Sequence, residues 1–161
     1  MRNAILSVVA VILALAVIGV TFVVGMRRKS PLVLKAVRRS GRAVKPLVLR
    51  SAGTASSPTA VIEHVGRTSG RRYETPVVAA PTEDGFVIAL PYGPNTDWLK
   101  NVLTAGHAAI RFGGARHDVG HPELVDLEQV DGRFAPKEQR LHRRFQVRDA
   151  VMVRTMSDVV G

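Results

Sequence analysis

Residues 4–25 carry no charged side chain, and apart from glycine only Ser7 and Thr21 among them are polar. At about 1.5 Å per residue, a helix of this length matches the roughly 30 Å hydrocarbon core of a bilayer. The two hydroxyls can bond back to the helix backbone. The run is rich in Val and Ile, which a helix in water rarely carries on every face. A cleaved signal peptide would have a shorter apolar stretch and a small-residue cleavage site. Here the run ends at Val23, Val24 and Gly25, followed by Met26, Arg27, Arg28 and Lys29. A wholly buried helix would need more chain to wrap it than the rest of the 161 residues offers. The expectation is a transmembrane anchor over residues 1–29. One Arg precedes it and a dense basic run follows, so the positive-inside rule places everything after it in the cytoplasm. The expected location is the cell membrane, as a single-pass protein with a cytoplasmic globular part.

The formal charge of +10 is not spread evenly. Residues 1–50 hold ten Lys and Arg and no acid, leaving thirteen cations and thirteen acids in the remainder. A basic arm is thus joined to a neutral domain. Nucleic-acid binding would want the cations on the folded surface, so no nucleic-acid partner is expected. There are no cysteines, which excludes disulfides and thiolate metal sites. Residues 30–58 read as a basic juxtamembrane helix and linker. Pro31 can open a helix. Leu32, Val33, Leu34, Ala36, Val37, Ala43 and Val44 interleave with Lys35, Arg38, Arg39, Arg42 and Lys45, a pattern that fits a helix lying on anionic membrane lipid or a solvated linker. Gly41 and Pro46 argue against one long regular helix.

From residue 59 the chain reads as one small domain. Strands are expected at 60–65, 73–80, 85–90, 108–112, 115–119 and 122–130, with turns at 81–85 and at Gly113-Gly114. Helices are expected after Asn95 or Thr96, closing near Gly106, and at 136–145. Residues 150–160 are ambiguous. Short antiparallel strands joined by hairpins point to a small barrel. The expected fold is α+β: an N-terminal transmembrane helix, then a small split β-barrel of about six strands with two helices.

Two segments could carry chemistry. Residues 66–72 pack Arg67, Arg71 and Arg72, the hydroxyls of Thr68 and Ser69, and the glycines Gly66 and Gly70 between two strands. Glycine lets backbone amides approach an anion, and the guanidinium fork matches phosphate or carboxylate oxygens. The plainer reading is an exposed hairpin loop made soluble by arginine. Residues 90–98 carry the domain's Trp98 beside Tyr92 and end at a helix N-terminus, where amides attract anions. Asn101 shares a helix face with Trp98; the plainer reading of Trp98 is a core residue. His117 and His121 would need a helix to pair on a metal, and Gly120 and Pro122 argue against one, so no metal site is expected. Asp97, Glu63 and His64 form no recognisable triad with a serine.

The block from Val61 to Pro76, with its Gly66, Arg67, Thr68, Ser69, Gly70 and Arg71, resembles the signature hairpin of the deazaflavin-dependent nitroreductases. The block from Asp84 to Asn101 is similar to the family's second motif, and residues 105–114 to the strand pair that follows. The resemblance covers roughly residues 59–125. It implies a split β-barrel of 59–161 that binds an 8-hydroxy-5-deazaflavin, coenzyme F420. By the same resemblance Arg67, Thr68, Ser69, Gly70 and Arg71 hold the phosphate region, with Thr75, Pro76 and Val77 along the adjoining strand. Pro91, Tyr92 and Gly93 line the ring or ribityl portion, and Trp98 and Asn101 close the site. No catalytic residue is implied.

Many family members carry Lys where this chain has Thr68, and some carry Lys at Tyr92. Phosphate affinity is then expected to be weaker, or the cofactor different. The only tyrosines here are Tyr73 and Tyr92, so the tyrosine-rich C-terminus of nitroimidazole-reducing members is missing. The expected activity is that of an oxidoreductase moving hydride from reduced deazaflavin to a small or lipid-soluble acceptor. With a membrane tether, a quinone is the natural acceptor. The alternatives are a flavin mononucleotide (FMN) oxidoreductase on a related barrel, or a non-catalytic anchored barrel that binds a lipid or other ligand. The oligomeric state is not legible.

Overall fold

The computed structural model describes residues 2–156, with side-chain surroundings from residue 12 onward except at 38 and 41–43. Seven strands form one antiparallel sheet: β1 (Ala60–Val65), β2 (Arg72–Val77), β3 (Ala79–Pro81), β4 (Gly85–Ala89), β5 (His107–Phe112), β6 (Ala115–Asp126) and β7 (Asp149–Thr155). Their order across the sheet is β2-β1-β5-β6-β7-β4-β3. The two edge strands, β2 and β3, are neighbours in the chain, separated by Val78 alone. One residue cannot span a flat sheet of seven strands, so the sheet curls until its edges meet. The result is a half-barrel split at Val78, whose carbonyl accepts a hydrogen bond from the Ala89 amide at 3.2 Å.

Strand alternation sets what faces inward. Ala60 and Ile62 from β1, Phe86 and Ile88 from β4, Ile110 from β5 and Val151 and Val153 from β7 meet inside the curl. Leu99 and Val102 plug it from α3 (Asp97–Ala105). The opposite face of β4 places Val87 and Ala89 against Leu127, Val130 and Phe134. Buried on both faces, β4 reads as an unbroken apolar run. Gly85 opens it where β4 crosses β7 so closely that a Cβ would meet the Val153 carbonyl oxygen. Truncating a buried isoleucine such as Ile62 to alanine in such a core costs about 2–5 kcal/mol.

The hairpin between β5 and β6 turns through Gly113 and Gly114, both at positive φ (61° and 87°), which glycine adopts without strain. The separate strand expected at 122–130 is absent. Instead β6 continues to Asp126 through a register shift between Gly120 and Glu123. Asp126 then caps α4 (Leu127–Val130), accepting from the Glu128 amide at 3.0 Å. The expected strand over 73–80 breaks at Val78 because its two ends take different partners. Residues 150–155 pair as β7; 157–160 lie outside the described residues. Helix α5 (Pro136–Phe145) is held by His142, whose Nδ1 lies 2.6 Å from Asp131 Oδ1 and whose ring meets Phe134 edge-on.

The N-terminal expectation needs correction. The apolar run forms α1 (Arg2–Arg27), and the basic stretch forms α2 (Pro31–Leu49), which continues through Gly41 and Pro46. Among the described residues no helix is long and apolar enough to cross a membrane. The transmembrane anchor, and with it the single-pass cell-membrane location, is therefore not supported. At the end of α1 protein packs on part of the apolar surface, while Ile12, Leu13, Leu15, Val17, Ile18 and Val20 stay exposed. Phe22 meets Phe145 of α5 edge-on at 6.1 Å. Gly25 packs on Val33 of α2, and Met26 and Leu34 are buried. Arg27 Nε donates to the Arg144 carbonyl at 2.8 Å. Of the residues expected to pattern a lipid-facing helix, Arg38, Arg42 and Ala43 have side chains outside the described set.

A cavity between the hairpin, the roof helix and α3

One cavity of about 720 Å³ opens at the end of the curl, within the range usual for small-molecule sites. The β1–β2 hairpin forms one wall, the stretch from Leu90 to Gly93 a second, and α3 a third. Helix α2 roofs it with Val37 and Lys45. The roof is tied down where Lys29 Nζ donates to the Pro91 carbonyl at 2.7 Å. Burial lowers the Lys29 pKa, a shift that Asp149 opposes and Arg148 reinforces.

Of the residues expected to bind a cofactor, Arg67, Thr68, Ser69, Thr75, Pro76, Val77, Pro91, Tyr92, Gly93, Trp98 and Asn101 all line this cavity. Gly70 and Arg71 are not among its lining residues. They sit at the exposed hairpin tip, where the Arg71 carbonyl accepts from the Gly66 amide at 2.8 Å and closes the turn. The hairpin therefore presents one arginine to the cavity where two were expected to act together. The second cation on the wall is Lys45, from the arm that sequence reading set apart from the site.

The polar wall is a connected network. Asn101, 6% exposed, accepts from the Arg67 amide at 3.2 Å and from Arg67 Nη1 at 2.8 Å. Its amide nitrogen lies 3.1 Å from His64 Nδ1. His64 Nε2 lies 3.2 Å from Thr75 Oγ1. Arg67 Nη2 also meets Asp97 Oδ1 at 3.4 Å, so the acid nearest the cavity is paired. The Tyr73 ring stacks on His64 with centroids 5.7 Å apart. Burial, reinforced by the charge of Lys45, lowers the His64 pKa to about 4, so the ring is neutral near pH 7. Burial pushes the Tyr92 phenol up.

His64, Tyr73, Thr96 and Lys45 were missed from the sequence. For His64 a signal existed: Ala60, Ile62 and His64 alternate, which puts the histidine at the open end of the inward stripe. Thr96 caps α3 by position, but its hydroxyl makes no capping bond. It is 9% exposed, lines the cavity, and has no hydrogen-bond partner among the described residues. A buried hydroxyl left free is costly unless a ligand meets it. Among the described residues no three His, Asp or Glu side chains gather in a way that could hold a metal ion.

No protein-family profile matches the sequence, and no curated protein does. Several solved structures are similar to it. A protein of unknown function from Agrobacterium tumefaciens, Atu2129, is 16% identical with a TM-score of 0.46, over 73% of this chain and 56% of its own length. An F420-H2 dependent reductase, FDR-A, is 13% identical with a TM-score of 0.46, over 60% of this chain and 93% of its own. The heme storage protein HutZ from Vibrio cholerae is 12% identical with a TM-score of 0.44, over 63% and 84%. These three differ in what their names say they do, and the likeness selects none of them.

Proposed function

We propose that the cavity binds an anionic, ring-bearing redox cofactor, an 8-hydroxy-5-deazaflavin, and that the protein is an oxidoreductase passing hydride from its reduced form to a small acceptor. The observation that carries this reading is the composition of the wall. Arg67 and Lys45 supply positive charge beside the Thr68 and Ser69 hydroxyls, and the carboxylate of Asp97 is already paired with Arg67. Pro76, Val77, Leu90 and Trp98 add an apolar surface to the same cavity. A flat heterocycle with an acidic tail matches both halves. The free Thr96 hydroxyl gives such a ligand a further buried partner. The resemblance of residues 61–76 and 84–101 to the deazaflavin-dependent family points the same way.

When bound, the cofactor supplies the hydride chemistry. The residues here bind, orient and exclude water. Arg67 and Lys45 would hold the anionic end, with Thr68, Ser69 and the first turn of α3 beside it. Trp98 and Pro91 would cover the ring. The case for a quinone acceptor rested on a membrane-spanning anchor and falls with it, leaving the acceptor defined only as a small molecule. Flavin mononucleotide is the second reading. It is favoured by Thr68 and Tyr92, where lysines in the family would meet a longer acidic tail.

Calorimetric titration of the full chain with the oxidised deazaflavin, and in parallel with flavin mononucleotide, tests the proposal. The deazaflavin is expected to bind more tightly. Lys45→Ala is expected to weaken it about tenfold, in line with loss of one charge-assisted hydrogen bond. Binding of neither compound would refute the reading. Tighter binding of flavin mononucleotide would replace the cofactor and keep the site.

A further inference from the structure

We infer that Thr75 is a hydrogen-bond donor to the cavity, oriented by a relay that begins at Arg67 and passes through Asn101 and His64, so that the site favours ligands presenting an acceptor atom at that wall. The inference deepens the cofactor reading and, for its ligand half, rests on it.

The relay follows from which groups can only donate. The Arg67 amide and Nη1 both point at one terminal atom of Asn101, at 3.2 and 2.8 Å. Neither can accept, so that atom is the oxygen. The Asn101 NH2 therefore lies at the other end, 3.1 Å from His64 Nδ1. An amide NH2 also only donates, so Nδ1 must be bare and accept. The single proton of the neutral ring then sits on Nε2, 3.2 Å from Thr75 Oγ1. Nε2 donates to the hydroxyl oxygen, and the hydroxyl's own hydrogen is left for another acceptor. Thr75 lines the cavity and has no other side-chain partner among the described residues. Each link has two possible states, and each is settled by the link before it.

Register puts these groups together. His64 pairs with Tyr73 and Ile62 with Thr75 across β1 and β2, so His64 and Thr75 are diagonal neighbours on the inward face. Tyr73 stacks on the imidazole and holds its plane. Protonation would put a hydrogen on Nδ1 against the Asn101 NH2, which accords with a ring that stays neutral well below its usual range. A ring carbonyl or an unprotonated ring nitrogen satisfies Thr75. A ligand hydroxyl can also accept through its oxygen, whereas a ring N–H can only donate to the remaining lone pair of Thr75 Oγ1 and leaves the Thr75 hydrogen unmet.

Two measurements on the full chain decide the matter separately. The first needs no ligand. Long-range 1H–15N correlation spectra of the protein with 15N-labelled histidine, recorded at pH 7, are expected to show His64 as the Nε2–H tautomer, its signals assigned by their loss in His64→Gln. Asn101→Asp places an acceptor opposite Nδ1 and is expected to move that proton to Nδ1 or to raise the titration of His64 into the neutral range. An Nδ1–H tautomer or an imidazolium in the wild type, or no change in Asn101→Asp, overturns the relay. The second measures binding of the oxidised deazaflavin. Thr75→Val is expected to weaken it about tenfold, and Thr75→Ser to restore it. Equal affinity in wild type and Thr75→Val overturns the donor role. Failure of the wild type to bind either cofactor overturns the functional reading and the ligand half together, while the histidine spectra still decide the relay.

Discussion

Glu63 and His64 are adjacent in the chain and anchor two unlike polar networks on opposite faces of one hairpin. On the outer face, Glu63 accepts from Arg116 Nε at 3.1 Å and forms an ion pair with Arg111, whose Nε lies 3.1 Å away, while Arg111 reaches Glu74 at 3.0 Å and Arg116 reaches Asp118 at 2.9 Å. On the inner face, His64 is 7% exposed and belongs to the chain of hydrogen bonds from Arg67 to Thr75. The outer network is branched, fully charged and open to water. The inner one is linear, largely uncharged and enclosed. Water and salt replace a lost partner outside, where such pairs are worth about 1 kcal/mol or less. Inside, each lost partner leaves a buried group unsatisfied, at about 1–3 kcal/mol. The same two strands thus carry a network whose members are interchangeable and one in which every member is needed.

Breaking the linear network at its centre should have the largest effect. Asn101→Leu leaves Arg67 and His64 without their shared partner, and denaturant unfolding is expected to show a loss of about 2–3 kcal/mol; a loss below half a unit would erase the contrast. Acidification comes next. The folded His64 pKa of about 4 lies below the ordinary value of 6.5. Below pH 6.5 the unfolded chain takes up a proton that the folded chain refuses. Stability is therefore complete above pH 6.5 and falls between 6.5 and 4, by about 2 kcal/mol after allowing for residual solvent access. His64→Gln, whose amide can both accept from Asn101 and donate to Thr75, should flatten that part of the pH–stability curve. If the slope persists, another group is responsible.

Smaller effects belong to the outer face. Glu63→Gln should cost about 1 kcal/mol or less in dilute buffer, with the difference vanishing in high salt. A salt-independent loss would mean that this network is enclosed too. Arg116→Ala should leave the melting temperature unchanged within error, since Glu63 keeps Arg111.

Local chemistry was the legible part of the sequence. Gly113 and Gly114 marked a tight turn, and Asp97 and Gly106 bracketed α3 because each acts on its immediate neighbours. The pairing of β2 with one end of the sheet and β3 with the other was not legible, since no residue near Val78 records that its flanks have different partners. Nor did residues 4–25 record that their last turn meets Phe145 and Val33, because an apolar side chain looks the same whether lipid or protein will cover it. Helix α2 was ambiguous for the same reason: its mixed basic and apolar pattern suits a membrane surface and equally the cavity roof to which Val37 and Lys45 contribute. The family-like motifs drew attention to the residues around the cavity. They could not show that Arg71 turns away from it, nor that His64, dismissed for want of a serine, sits in its wall.

Residues 72–81 serve as both margins of the sheet, joined by the single hinge residue Val78. A molecule seated against Thr75, Pro76 and Val77 presses on the seam where the curl begins and ends. Occupancy and closure are thereby one mechanical variable. Filling the cavity should brace the far margin at β3 as well as the near one, and backbone amides outside the cavity lining, such as Ala80, should exchange more slowly when it is filled.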